Sequence, residues 1–186
     1  MGYGIMAYSV RIEHLRAPST FASEPAAFYD WMVGLHSSAI SSAQRRTALR
    51  ELFFSEPHSG TDGADYGYAL KVLCERFGGS LNNEYWYPIG SSGLDTVGQE
   101  LARLGVKLDP ADDLAFAGAP VPIPEVDDFP GIGYLTCARM NELAPALDAA
   151  NLSVVGDPYV RGAIAEIQQW IHHCTEDGSD LVTFYH

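Results

Sequence analysis

Two periods organise the hydrophobic positions of this chain. Short β-prone runs stand near both ends, and between them apolar residues return every three or four positions. GIMAYSV (Gly4–Val10) predicts a strand, with Ile5, Ala7 and Ser9 on one side and Met6, Tyr8 and Val10 on the other, more apolar side. Ile12 to Leu15 reads as a turn or the start of a short helix. A helix is expected from Pro25, proline being favoured in a first turn, and it carries Phe28, Trp31, Met32 and Leu35. Ser41 or Ser42 can cap the next, which holds Ala43, Leu49, Leu52 and Phe53. Tyr66, Leu70, Leu73 and Phe77 form a clean stripe that Gly78 can close in the left-handed conformation. A second stripe, Leu94, Val97, Leu101 and Leu104, ends at Gly105.

The pattern changes from about residue 106 to 130. Five prolines and six acids fall there, and GAPVPIPEVDDFPG suits neither a helix nor a central strand, because proline lacks the N–H and fixes φ. An extended surface arm of polyproline character is expected. IGYLT is then a strand. Met140, Leu143, Leu147 and Ala150 mark a helix in which Pro145 is tolerable if the helix starts near Asn141. The last helix has Asp157 as cap, Pro158 as first residue and Val160, Ile164, Ile167, Ile171 and Cys174 as its stripe; Gly178 closes it, and LVTFY is a strand. Strands this few and this unevenly spaced do not make a doubly wound repeat. The expected class is α+β: a single compact domain over residues 1–186, its small sheet including the N- and C-terminal strands, packed by about five or six helices.

Composition narrows the function. A chain of 186 residues suits one domain that needs no disulfide or metal to fold. The net charge of −13 would repel a phosphate backbone, so nucleic acid is excluded as a partner, and a basic protein is the partner the charge would steer. Cys74, Cys137 and Cys174 are isolated among apolar neighbours with no CxxC, which reads as reduced thiols and a cytoplasmic location. The N-terminus lacks signal-peptide character, and no apolar run reaches membrane-spanning length.

Three stretches hold candidate chemistry. EPHSGTDGADYG brings His58, Ser59, Thr61, Asp62 and Asp65 ahead of a helix. A nucleophile, a base and an orienting acid are nominally present, which is the hydrolase alternative. EYWYP sets Tyr85, Trp86 and Tyr87 in a row; in extended chain at least one should face outward, and such residues anchor interfaces. Asp127, Asp128 and Phe129 add charge and a further anchor on the arm. The acids at Asp109, Asp112 and Asp113 lack the spacing of a calcium loop. No cofactor motif and no closed metal set is present: His172 and His173 splay on a helix, Cys174 turns inward, and only His172 with Glu176 can meet. The favoured expectation is a non-enzymatic, acidic binding protein, immunity-like in its most concrete form. A homo-oligomer through the C-terminal strand or the aromatic segment is a third possibility.

Four segments together, GIMAYSV, YGYALKVLCERFG, VPIPEVDDFPGIGYL and DLVTFY, resemble an uncharacterised, largely actinobacterial domain-of-unknown-function family along nearly the whole chain. A weaker similarity is to YfbM-like small α+β proteins. Both resemblances imply a compact single domain, and neither implies a catalytic residue.

Overall fold

The computed structural model describes residues 3–186. Four strands, β1 (Ile5–Val10), β2 (Gly79–Ser80), β3 (Gly131–Leu135) and β4 (Asp180–Tyr185), form one antiparallel sheet in the order β2-β1-β4-β3. The two ends of the chain are therefore its central pair, in register from Ile5 opposite Tyr185 to Val10 opposite Asp180. Because β4 is paired on both sides, it offers no free edge, and an oligomer through the C-terminal strand is excluded.

Helices cover both faces. On one lie α1 (Ile12–Arg16), α2 (Pro25–Leu35), α3 (Ala43–Phe54) and α4 (Gly63–Phe77); on the other, α5 (Ser91–Arg103), α6 (Cys137–Ala149) and α7 (Pro158–Asp177). The fold class is α+β. The helix beyond the expected five or six is the five-residue α1.

The sheet is a partition between two cores. Ile5, Ala7, Leu181 and Tyr185 join the α5–α7 side, whereas Tyr8, Val10, Val182 and Phe184 join the α1–α4 side. That explains why Leu181, Val182, Phe184 and Tyr185 do not alternate with solvated residues: both faces of β4 are buried, and its Thr183 donates to the Leu114 carbonyl at 2.6 Å. Both faces of β1 are therefore core, the one with Ile5 and Ala7 including the buried polar Ser9.

Local chemistry sets the boundaries. Ser42 accepts from Arg45 N at 3.0 Å and opens α3; Asp157 accepts from Tyr159 N at 2.7 Å and opens α7 ahead of Pro158. Gly178, at φ 63°, closes α7 in the left-handed region. Two expectations need correction. Gly78 is extended, not left-handed, and its smallness serves β1: a Cβ there would lie 2.4 Å from the Ser9 carbonyl oxygen. The helix α6 starts at Cys137, four residues before Asn141, with Pro145 inside it. Pro145 and Asn141 both lie on the solvent side, where water can take the carbonyl that proline leaves unpaired.

The arm is only half as exposed as expected. Val106, Leu108, Leu114 and Ala115 are buried, and Pro110–Ala115 forms a π-helical turn opened by Asp109, whose carboxylate accepts from Ala111 N at 2.9 Å. This turn presses on β3 at Gly133, where a Cβ would meet the Leu114 backbone at 2.4 Å. Residues 116–130 remain as the true arm, anchored by buried Val121 and Pro130.

Candidate functional site

The loop from His58 to Asp65 joins α3 to α4, and an unanticipated residue organises it. Glu51, buried on α3, accepts from Ser59 N, Ser59 Oγ and Tyr66 Oη. Tyr66 Oη in turn accepts from Gly60 N at 3.0 Å. Burial alone would raise the Glu51 carboxyl, but the bonds from Ser59 and Tyr66 outweigh it and hold it below its ordinary value. Burial, and then the bond to Glu51, pushes the Tyr66 phenol up.

The nominal triad is not assembled. Ser59 donates its hydroxyl hydrogen bond to Glu51, Asp62 caps α4 at Ala64 N, and Asp65 accepts from Arg45 Nε at 3.3 Å. His58 is exposed with its ring 4.8 Å from that of Tyr66, and among the described residues it makes no hydrogen bond. Ser59, Thr61, Asp62 and Asp65 line an open hollow of about 490 Å³, and His58 lines a different one. General base catalysis needs His58 within hydrogen-bond reach of the group it would deprotonate, and this arrangement does not supply that contact.

A second buried glutamate sets the aromatic segment. Glu166 on α7 accepts from Glu84 N and Tyr85 N, each at 2.9 Å, and from the Asn82 side chain. The three aromatics then diverge. Trp86 is 0% exposed and donates from Nε1 to the Ala163 carbonyl at 3.0 Å, so it belongs to the core. Tyr85 lies half-buried over Gly162, where a Cβ would come within 2.5 Å of its ring. Tyr87, 48% exposed, is the outward member, and it lies on Gly4.

That contact carries the segment to the arm. Tyr3, next to Gly4, stacks on Phe129 with centroids 4.9 Å apart. Tyr3, Phe129 and Phe116 surround the buried ring of Tyr185 at 6.0, 5.8 and 5.9 Å. Tyr3 is 51% and Phe116 58% exposed. Tyr3, Phe116, Phe129 and Tyr185 thus form one aromatic patch at the end of the sheet, and Tyr87 lies on the residue next to Tyr3. Beside it, a groove of about 760 Å³ runs along the arm, walled by Phe116, Pro120, Pro122, Glu125 and Asp128, with Arg16 at its side. Asp127 and Asp128 are exposed. Tyr3 and Phe116 were not singled out from the sequence, since their role depends on β4 ending beneath them.

Charge is unevenly spread. Residues 1–80 hold seven Lys and Arg against eight Asp and Glu, whereas residues 81–186 hold four against sixteen. Between residues 108 and 138 there are six acids and no Lys or Arg. The groove is built largely from this acidic stretch, which also supplies Phe116 and Phe129 to the patch.

The C-terminal histidines take other partners than the one expected. His172 Nε2 meets Asp148 Oδ1 of α6 at 2.8 Å, not Glu176, and His173 pairs with Asp177 at 3.3 Å. Cys174 is buried. Among the described residues no group of three or more His, Cys, Asp or Glu side chains is placed to hold a metal ion, and no helix is long and apolar enough to cross a membrane.

No curated protein and no solved structure matches the chain. The family described as a domain of unknown function, DUF7691, matches residues 1–186, and by that match along its whole length the chain belongs to this family.

Proposed function

We propose that this is a non-enzymatic binding protein whose arm face takes a basic segment of a protein partner. One observation carries the reading: the exposed rings of Tyr3 and Phe116 flank Tyr185 at the end of the sheet, and Phe116 walls an open groove along an arm stretch that has six acids and no Lys or Arg of its own, Arg16 being the one base on the groove wall. Aromatic rings supply contact area at small entropic cost, and carboxylates at the rim speed encounter with a cation and reject anionic partners. An immunity-like role, neutralising a basic protein by covering it, is the most concrete form. The free thiols Cys74, Cys137 and Cys174 fit a reducing cytoplasm, and the resemblance to a largely actinobacterial family directs the search to bacterial lysate.

Affinity capture at low and moderate salt tests this, comparing the wild-type chain with Phe116→Ala and with an Asp127→Asn/Asp128→Asn double variant. All three positions are exposed, so the fold should survive the changes. The expected result is a basic protein retained by the wild type, weakened by salt, and lost or reduced with both variants. Recovery of nothing at either salt, or equal recovery by all three chains, would sink the proposal.

A further inference from the structure

The outermost helix of the less charged half carries a second surface. At about 100° per residue, Ala27, Trp31 and Gly34 fall on one stripe of α2, with Leu35 beside it. All four are exposed, Trp31 by 51% and Leu35 by 61%, and a Cβ at Gly34 would meet nothing within 4 Å. The opposite face of α2, with Met32 buried and Phe28 and Val33 half-buried, faces the core. Asp30 is the only charged residue in the helix.

Two charges flank the stripe on opposite sides. Asp30 lies about 100° round the helix from Trp31. On the other flank, the Arg76 guanidinium of α4 sits 4.7 Å from the Phe28 ring centre and 5.1 Å from that of Trp31. Asp30 and Arg76 are both exposed, and among the described residues neither has an ion-pair partner.

We infer that this face binds a second copy of the chain, through a two-fold axis running along α2. Such an axis lays Trp31 and Leu35 against the small Ala27 and Gly34 of the other copy. It also carries the left flank of one copy to the right flank of its mate, so each Asp30 meets an Arg76. An axis across the helix would set Asp30 against Asp30 and is disfavoured. The sheet stands between α2 and the α5–α7 layer, so the strongly acidic halves stay on the far sides of the pair. A basic partner would be drawn to the arm instead, and this stripe offers it little charge. Trp31 and Leu35 leave roughly 250 Å² of side chain in water per copy. Across both copies that is about 500 Å² before the flanks are added, below the roughly 1,200 Å² of a standard interface, so the dimer is a weak, transient one.

Sedimentation equilibrium from about 10 µM to 1 mM, a range suited to a small interface, should show concentration-dependent dimer. Trp31→Ala, at an exposed position, should weaken it by about tenfold or more with an unchanged circular dichroism spectrum. Asp30→Lys alone and Arg76→Glu alone should each be monomeric, because each places like charges together. Mixed, they should form a heterodimer. The introduced lysine of one chain then faces the introduced glutamate of the other, and the remaining Arg76 faces the remaining Asp30. A wild-type chain that stays monomeric throughout, or a mixture that does not associate, overturns the inference. Binding of the monomer to zwitterionic vesicles through Trp31 would reassign the face to a lipid surface and overturn it equally.

Discussion

Glu51 and Glu166 sit on helices where a glutamate normally reads as solvated surface, yet both are buried and each holds a loop in place. The physical reason lies outside their own neighbourhoods. Free backbone N–H groups of a loop need acceptors, and an ionised carboxylate offers several at once. Nothing in the periodicity of α3 or α7 reveals that the loop arrives, so both residues were missed, whereas the loop residues were visible by their composition. Replacing Glu166 by Ala strands Glu84 N, Tyr85 N and the Asn82 amide near the buried Trp86. The expected loss is about 2–4 kcal/mol, read by urea unfolding. Glu166→Gln should lose less, since an amide oxygen still accepts, although its NH₂ has no acceptor to use. Equal stability of the Ala variant and the wild type would show that the loop is held without the carboxylate, by buried Trp86, by Trp170 Nε1 on the Asn82 carbonyl and by the Asn83 amide on the Ile5 carbonyl.

At the scale of elements, most of the chain is legible because caps and stripes are local. Asp157-Pro158, Ser42 and Gly178 mark helix ends whatever lies beyond them. The departures arise where a distant segment decides. Gly78 is small because β1 passes over it, and Val106 to Ala115 is buried because β3 needs cover. Asp180 shows the same dependence. At the start of β4, its Oδ2 accepts from Ile12 N and its Oδ1 from Cys137 N, both at 2.9 Å, so one carboxylate caps the first residues of α1 and α6. A strand residue capping two helices, one on each face of the sheet, leaves no trace in the spacing of either. A single lost cap costs about 0.5–2 kcal/mol, so Asp180→Ala should cost roughly twice a typical cap, about 2–3 kcal/mol. Asp180→Asn keeps one acceptor and should fall between. The denaturation midpoint at constant slope measures both, and a loss no larger than one ordinary cap would mean that water replaces one of the two bonds.

Across the whole molecule, the candidate surface was legible in its parts but not in its convergence. EYWYP and DDFP each suggested an exposed anchor, and only the central pairing of β1 with β4 brings Tyr3, Tyr185 and the arm beneath one patch. The same topology sets the electrostatics. Residues 81–186, which include the arm and the α5–α7 layer, hold sixteen acids and four bases. Of those bases, Arg103 pairs with Glu100 and Arg139 with Glu142 one turn away. Few cations remain to offset acids between elements. Self-repulsion therefore opposes the compact state, and mobile ions screen it beyond about 10 Å at 0.1 M. The surviving surface pairs are exposed and worth little, typically about 0–1 kcal/mol each, so their screening costs less than the relief of repulsion. Thermal unfolding at neutral pH should accordingly shift to higher temperature as sodium chloride rises from about 0.02 to 0.3 M, the range over which the screening length falls from roughly 20 to 6 Å. Asp127→Asn/Asp128→Asn should raise the low-salt midpoint and flatten the salt dependence, because it removes two charges from the stretch that has no base. A midpoint that falls with salt would mean that the local ion pairs, not repulsion among the acids of residues 81–186, dominate the response to screening.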